Sequence, residues 1–191
     1  MTALKGLLAQ GLALALLASP GAAHAAPEGG DDACPAILAH SLPRLHSSEQ
    51  LSLCDYSGRA LVVVNTASYC GFTGQFAGLE SLWQTRRDDD LVVLGFPSND
   101  FRQEDDDEAV TAEVCYINYG VSFPMLAPSP VARGAVNPVF AELQRQGASP
   151  PRWNFHKYVV DRQGRLVAEF GSRTTPDDPA LQAAIDEALS R

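Results

Sequence analysis

The chain has 191 residues, a length that suits one domain with a substantial apolar core. Its formal net charge of −9 at pH 7 disfavours nucleic acid and anionic membranes as partners, because both carry negative charge. Acidic runs at 88–90 and 105–108 contribute to this charge and are typical of solvated surface.

The first residues have the pattern of a cleaved signal peptide. Lys5 precedes the mostly apolar stretch 7–18, and the tripeptide 23–25 (Ala-His-Ala) has small residues at the spacing that a signal peptidase reads. The apolar stretch is shorter than the ~20 residues that span a bilayer, so no stable membrane anchor is expected. We therefore predict a signal peptide over residues 1–25 and a periplasmic or secreted mature protein.

Residues 26–60 are predicted to form an N-terminal extension with a first hairpin, followed by the main domain at 61–191. The extension contains Cys34 and Cys54. Because an exported protein folds in an oxidising compartment, we predict a structural disulfide between these two cysteines. A redox role, for example as a shuttle to a cysteine of the main domain, is the alternative.

The main domain begins with a strand–helix–strand pattern. Continuous apolar runs at 61–64 and 91–96 are typical of strands buried on both faces, as in a parallel sheet. Between them, apolar residues at helical spacing predict a helix over 75–87. The unit has about the length that a right-handed crossover needs.

The second half of the chain adds helices and an antiparallel hairpin. Strands are predicted at 155–160 and 166–170, joined by a short loop that contains glycine. The order of elements predicts an α/β protein with a thioredoxin-like fold, in which a mixed central β-sheet is flanked by α-helices. The further helices are predicted at 107–118, at 138–146 with Asn137 as N-cap, and at 179–189.

Cys70 lies between the strand at 61–64 and the helix that begins near Gln75. Unpaired N–H groups and the dipole at a helix N-terminus favour the thiolate, which is the nucleophilic form of cysteine. A thiolate attacks a peroxide oxygen and becomes a sulfenic acid. A buried cysteine with a packing role is the alternative.

Four blocks of sequence occur in order along the chain: 65–73 (NTASYCGFT), 94–101 (LGFPSNDF), 115–125 (CYINYGVSFPM) and 152–158 (RWNFHKY). These blocks resemble the glutathione peroxidase family, with cysteine where some members carry selenocysteine. The similarity extends from about Leu61 to Thr175 and covers most of the mature chain. It implies a thioredoxin-fold thiol peroxidase.

The resemblance implies a catalytic tetrad. Cys70 would be the peroxidatic thiolate, and Gln103 and Trp153 would offer hydrogen bonds to its sulfur from two sides. Asn154 would complete the polar shell. Neutral donors of this kind stabilise a thiolate and then the developing alkoxide. Many members of the family have two residues between the corresponding phenylalanine and glutamine, whereas this chain has only Arg102 between Phe101 and Gln103.

The resemblance also places Cys115 at the position of the resolving cysteine in thioredoxin-dependent members. Sulfenic acid at Cys70 would condense with Cys115 to a disulfide, which a thioredoxin-like dithiol protein would reduce. Because a disulfide needs Cα atoms within about 7 Å, we expect unwinding around 105–118 during turnover. A packing role for Cys115 is the alternative, and glutathione would then reduce Cys70 in a one-cysteine mechanism.

We therefore predict a monomeric thiol-dependent peroxidase that acts on hydrogen peroxide and organic hydroperoxides. No cofactor and no metal are expected, because the sequence has no Cys-x-x-Cys pair and no ligand spacing among its histidines. A thiol–disulfide oxidoreductase and a non-catalytic peroxide sensor with the same fold are the alternatives.

Overall fold

A computed structural model describes residues 1–2 and 34–191 of the chain. The predicted signal peptide at 1–25 therefore lies outside the described residues, except for its first two. Residues 34–191 all belong to one structural unit. Within the described residues, no helix combines the length and the hydropathy that crossing a membrane requires.

The strands are β1 (Ser41–Pro43), β2 (Gln50–Ser52), β3 (Ala60–Thr66), β4 (Leu91–Pro97), β5 (Lys157–Val160) and β6 (Leu166–Phe170). The helices are α1 (Gln75–Arg86), α2 (Glu108–Ala112), α3 (Pro138–Arg145) and α4 (Pro179–Ser190). A π-helical segment, Glu113–Asn118, continues α2. Short 3₁₀ helices lie at Ala36–Leu38, Leu53–Tyr56 and Arg87–Asp89.

The central sheet has the strand order β4-β3-β5-β6. β3 runs parallel to β4 and antiparallel to β5, and β6 is antiparallel to β5. β3 and β4 are buried at every residue, which explains their continuous apolar sequences. β1 and β2 form a separate antiparallel hairpin. The mixed sheet, with helices on both faces, confirms the predicted thioredoxin-like α/β fold.

Alternate residues of β3 face two different apolar cores, as the period of a strand requires. Val62 and Val64 pack in the core that includes side chains of α1 and α4. Leu61 and Val63 pack in the core that includes α3 and the 3₁₀ helix Ala36–Leu38. We call the first of these the α1/α4 face and the second the α3 face. The sheet separates them.

The cysteines are divided between the two faces. Cys70 and Cys115 belong to the core of the α1/α4 face and are both free thiols. Cys34 packs against the core of the α3 face and forms a disulfide with Cys54, with Cα atoms 5.5 Å apart. This is the pair predicted from the sequence. The central sheet therefore lies between the disulfide and Cys70.

Two of the predicted helices begin where expected, each directly after a capping residue. The side chain of Asn137 accepts a hydrogen bond from the N–H of Val139, and Pro138 is the first residue of α3. Asp178 caps α4 in the same way through the N–H of Ala180.

The helix predicted over 107–118 differs from the expectation of a uniform α-helix. Asp107 is the N-cap and α2 begins at Glu108, but the chain becomes π-helical from Glu113. The N–H of Tyr119 donates to the carbonyl of Val114, five residues earlier, at 3.2 Å. π-Helical turns are rare and are frequent at functional sites. This one carries Cys115.

Candidate active site

Cys70 ends the loop that follows β3 and is 8% exposed. The backbone N–H of Phe72 donates to Cys70 Sγ at 3.4 Å. Thr73 holds the loop, because its Oγ1 accepts the N–H of Cys70 at 3.1 Å and lies 2.9 Å from the carbonyl of Ala67. The N–H of Thr73 in turn donates to the carbonyl of Cys70 at 3.0 Å. The cysteine therefore sits in a closed turn that leads directly into α1.

Gln103 and Asn154 form the polar part of the site. Asn154 is fully buried and its Nδ2 donates to Gln103 Oε1 at 3.1 Å. The carbonyl of Gln103 accepts the N–H of Tyr69, the neighbour of Cys70, at 2.9 Å. Because Asn154 donates to Oε1, the orientation of the Gln103 amide is set, and its donor group, Nε2, has no hydrogen-bond partner among the described residues.

The loop before Gln103 reaches the Cys70 turn although it is shorter than in many members of the resembled family. Arg102 has a left-handed backbone conformation, with φ 58°, which reverses the chain within few residues. The N–H of Arg102 donates to the carbonyl of Asn99 at 2.9 Å, and Asn99 Oδ1 accepts the N–H of Glu104 at 3.3 Å. Asn99 thus supports the turn through its backbone carbonyl and through its side-chain oxygen.

Asn65, on β3, holds the segment that carries Trp153 and Asn154. Its Nδ2 donates to the carbonyl of Trp153 at 3.2 Å, and its Oδ1 accepts the N–H of His156 at 3.1 Å. Phe155, between them, is buried with φ 61°, a conformation that costs a non-glycine residue free energy unless contacts compensate. No role was predicted for Asn65, although an amide directly after four apolar residues was a usable signal.

Trp153 is 41% exposed. Its ring packs against Phe101, with centroids 5.5 Å apart. Together with Phe72 and residues 171–174, Trp153 lines a cavity of about 420 Å³. Phe72 is the residue whose N–H contacts Cys70 Sγ. Trp153 therefore forms a wall of the space next to the cysteine turn.

The structure brings only part of the expected tetrad together. Gln103 and Asn154 are in direct contact, and the Gln103 backbone contacts the turn of Cys70. Within the part of the chain that is described, no hydrogen bond joins Cys70 Sγ to the side chains of Gln103, Trp153 or Asn154. The tetrad remains a prediction that rests on family resemblance and on this proximity.

Cys115 is buried in the core of the α1/α4 face. Burial, with a smaller contribution from the Glu104 carboxylate, raises the pKa of Cys115 to about 12. Cys115 is therefore a protonated thiol in this conformation, and the thiol is a poor nucleophile. It can react only if the π-helical segment moves.

Lys157, in the block 152–158, is a further buried polar residue near the site. Its Nζ donates to Gln75 Oε1 and to the carbonyl of Thr174, the latter at 2.7 Å. Gln75 Nε2 donates to the carbonyl of Ser172 at 2.6 Å. Burial lowers the pKa of Lys157 to about 8. Lys157 thus ties β5 and the start of α1 to the segment that lines the cavity.

The thioredoxin-like fold and the free cysteine between β3 and α1 define a thiol-dependent redox protein. The family model for Glutathione peroxidase matches residues 39–144. The chain belongs to the glutathione peroxidase family, and it is a thiol peroxidase.

Individual relatives agree with this assignment. The Glutathione peroxidase of Lactococcus lactis subsp. cremoris is 39% identical over 137 residues, which cover 69% of this chain and 87% of the relative. The Glutathione peroxidase-like peroxiredoxin GPX5 of Chlamydomonas reinhardtii is 43% identical over 141 residues, covering 71% and 86%. The crystal structure of Trgpx in apo form superposes with a TM-score of 0.64 at 29% identity, over 82% of this chain and 97% of that one.

Proposed function

We propose that this chain reduces hydroperoxides at Cys70, and that Cys115 resolves the oxidised cysteine. The observation that carries the proposal is the setting of Cys70. Its sulfur accepts the N–H of Phe72 in the turn that opens α1, next to the Gln103–Asn154 pair. An N–H donor at a helix start stabilises negative charge on sulfur.

The first step is attack of the Cys70 thiolate on the terminal oxygen of ROOH. A sulfur–oxygen bond forms, the oxygen–oxygen bond breaks, and the alkoxide takes up a proton to leave as ROH. Cys70 is oxidised to the sulfenic acid and the hydroperoxide is reduced to the alcohol, or to water when R is hydrogen.

The amides assist this step without competing for the peroxide. Asn154 holds Gln103 by its oxygen, which leaves the Nε2 hydrogens as donors for the sulfur or the leaving oxygen. Trp153 and Phe72 form an apolar wall of the adjoining cavity, which suits the organic part of a hydroperoxide.

In the second step, Cys115 attacks the sulfenic sulfur of Cys70. The disulfide forms, and the hydroxyl leaves as water with the proton from Cys115. A thioredoxin-like dithiol protein then reduces the disulfide. The name of the Chlamydomonas relative, a Glutathione peroxidase-like peroxiredoxin, supports a dithiol route. The π-helical segment that carries Cys115 is the part expected to unwind.

The test is peptide mapping by mass spectrometry after reduced protein receives one equivalent of hydrogen peroxide. We expect a Cys70–Cys115 disulfide in the unmodified chain. Cys115→Ser should stop at a Cys70 sulfenic acid that dimedone traps, and its turnover with a dithiol protein should fall about 100-fold or more, because the disulfide substrate no longer forms.

Cys70→Ser is the matched control, since it should consume no peroxide while Cys115 stays a thiol. A peroxide-dependent oxidation that persists in Cys70→Ser would contradict the assignment of Cys70. Unchanged turnover of Cys115→Ser with the dithiol protein would contradict the assignment of Cys115.

The burial of Cys115 favours a second candidate, in which glutathione attacks the Cys70 sulfenic acid directly. In that mechanism Cys115 has a packing role only. Turnover supported by glutathione, at a rate equal in the unmodified chain and in Cys115→Ser, would identify this one-cysteine route.

We further propose that the protein is exported, after cleavage of residues 1–25, and acts as a monomer in the periplasm or outside the cell. The apolar stretch 7–18 and the Cys34–Cys54 disulfide support export, because disulfides persist in oxidising compartments. Cell fractionation with N-terminal sequencing tests the site of cleavage, and sedimentation tests the oligomeric state. A full-length N-terminus in the cytosolic fraction would contradict export.

A further inference from the structure

Glu104 is 6% exposed, and its carboxylate lies between the Cys70 loop and the helix that leads to Cys115. Its Oε1 accepts the N–H of Ser68, in the loop before Cys70, at 3.3 Å. The same oxygen accepts the hydroxyl of Thr111, on α2, at 3.0 Å. One carboxylate oxygen therefore joins the segments that carry the two free cysteines.

Two parallel contacts show that the whole segment 103–105 lies against the Cys70 loop. The N–H of Tyr69 donates to the carbonyl of Gln103 at 2.9 Å. The Tyr69 hydroxyl donates to Asp105 Oδ2 at 2.5 Å. These contacts do not involve α2. Within the described residues, the Glu104–Thr111 hydrogen bond is thus the polar side-chain link from this segment to the body of α2.

The charge of Glu104 also acts on Cys115, because a nearby negative charge disfavours a thiolate. The neighbouring Tyr116 is half-buried and can ionise only well above neutral pH, since burial raises its pKa. The charged groups that face Tyr116 are Arg44 and Glu108, which have opposite signs. Glu104 is therefore the charge whose removal should change the ionisation of Cys115.

We propose that Glu104 is a positioning residue that ties the helix carrying Cys115 to the Cys70 loop and so controls when the resolving cysteine reaches the sulfenic acid. This inference rests on the proposed function. While the Thr111–Glu104 hydrogen bond is intact, Cys115 stays in the core as a thiol. When α2 unwinds, this bond breaks and Cys115 leaves the core, while Glu104 keeps its hydrogen bond from Ser68, so its charge stays beside the Cys70 loop that the Cys115 thiolate approaches.

The chemical step needs no reactant beyond those already named. The Cys115 sulfur bonds to the Cys70 sulfur as the sulfur–oxygen bond breaks. The proton that Cys115 loses leaves with the hydroxyl as water. Glu104 contacts neither sulfur by a hydrogen bond in the described structure, so its effect is on the geometry and charge that precede the step.

Rapid mixing with peroxide, followed by acid quench and mass analysis, separates the two steps. Oxidation of Cys70 depends on the peroxide concentration, whereas formation of the Cys70–Cys115 disulfide does not. Thr111→Val removes the link and keeps the carboxylate. It should speed disulfide formation about tenfold, the effect of one lost hydrogen bond to a charged group, and leave Cys70 oxidation unchanged.

Glu104→Gln keeps an oxygen that can accept from Ser68 but removes the charge. We expect its rate of disulfide formation to rise and the pH profile of this step to shift to lower pH, because the Cys115 thiolate is no longer opposed by the carboxylate. A purely structural role would not move this profile. Glu113→Gln, the same change at an exposed position on the helix segment of Cys115, is the matched control and should behave as the unmodified chain.

The outcomes distinguish this inference from the function on which it rests. If the unmodified chain forms no Cys70–Cys115 disulfide, the proposed resolving role fails. If the disulfide forms but Thr111→Val and Glu104→Gln change only the unfolding midpoint, with rate and pH profile unaltered, Glu104 is structural and the inference is overturned. If Glu104→Gln does not fold, the inference is tested by Thr111→Val alone. Thr111→Ser, which keeps the hydroxyl that donates to Glu104, should then restore the rate of the unmodified chain.

Discussion

At the scale of single residues, the site relies on neutral amides whose orientation is set by their contact. Asn154 is buried and donates to Gln103 Oε1. Its own Oδ1 is buried without a partner among the described residues. A buried acceptor without a partner is unusual and costs free energy, and a hydrogen-bond donor such as a hydroperoxide or a sulfenic acid would satisfy it.

Replacing Asn154 should therefore slow the first chemical step. We expect Asn154→Ala to reduce the rate of Cys70 oxidation by about 10- to 100-fold, because Gln103 loses the donor that orients it. Single-turnover kinetics with hydrogen peroxide measure this rate. Asn154→Asp has nearly the same volume but cannot donate to Gln103 Oε1, so it should lose a similar amount. Full activity of the Asp variant would contradict the orienting role.

At the scale of elements, polar residues of the central strands position the loops of the site. Asn65 extends from β3 to the segment 153–156, and Lys157 extends from β5 to α1 and Thr174. Both side chains are fully buried. The strands therefore act as the rigid support to which separate parts of the site are attached.

Asn65→Ala should destabilise both the fold and the site. We expect a loss of about 2 to 3 kcal/mol in the free energy of unfolding, because two buried hydrogen bonds are lost and their backbone partners stay buried. Urea unfolding measures this loss. Asn65→Asp keeps the acceptor for the N–H of His156 but places a buried carboxylate against the carbonyl of Trp153, so its loss should be at least as large. A loss below about 1 kcal/mol in Asn65→Ala would contradict the supporting role of this side chain.

Burial of Lys157 makes the free energy of unfolding depend on pH. Its pKa in the folded protein is about 8, below the ordinary lysine value of 10.5. Between these values the unfolded chain binds a proton that the folded chain does not, so stability rises with pH across this window. Below about pH 8, Lys157 is protonated in both the folded and the unfolded chain, and the folded protein bears the full cost of burying the ammonium group.

Comparison with Lys157→Met isolates this contribution. The free energy of unfolding of the unmodified chain, minus that of Lys157→Met, should increase by about 2 kcal/mol from about pH 7 to about pH 10. Other titrating groups are common to both proteins and cancel in the difference. A difference that is constant with pH would mean that Lys157 is not desolvated in the folded protein.

At the scale of the whole molecule, the sheet places the disulfide and the reactive cysteine on opposite sides. Cys34 packs against the core of the α3 face, whereas Cys70 lies in the core of the α1/α4 face. Direct thiol–disulfide exchange between them would require the sheet to open. This arrangement favours the structural role of Cys34–Cys54 over the shuttle.

Removing the disulfide should therefore affect stability and leave the chemistry intact. The bonded cysteines are 20 residues apart, and a loop of this size corresponds to about 3 kcal/mol in the chain-entropy treatment. We expect Cys34→Ser/Cys54→Ser to lower the free energy of unfolding by about this amount and to oxidise Cys70 at the rate of the unmodified chain. Loss of turnover in a folded double variant would instead indicate the shuttle.

Features with a local cause were predictable from the sequence. The apolar runs of β3 and β4 indicate burial on both faces, and Asn137-Pro138 indicates the start of α3, because each signal depends on neighbouring residues alone. The position of Cys70 before a helix follows in the same way.

Other features depend on contacts between segments that are distant in the chain, and only the tertiary structure decided them. The reach of Gln103 depends on the left-handed Arg102, and the exposure of Trp153 depends on how Asn65 holds its segment. The link from Ser68 to Thr111 exists only because the carboxylate of Glu104 is buried between them. A linear pattern records which groups can form hydrogen bonds, whereas burial decides which of them must, and burial is a property of the folded chain.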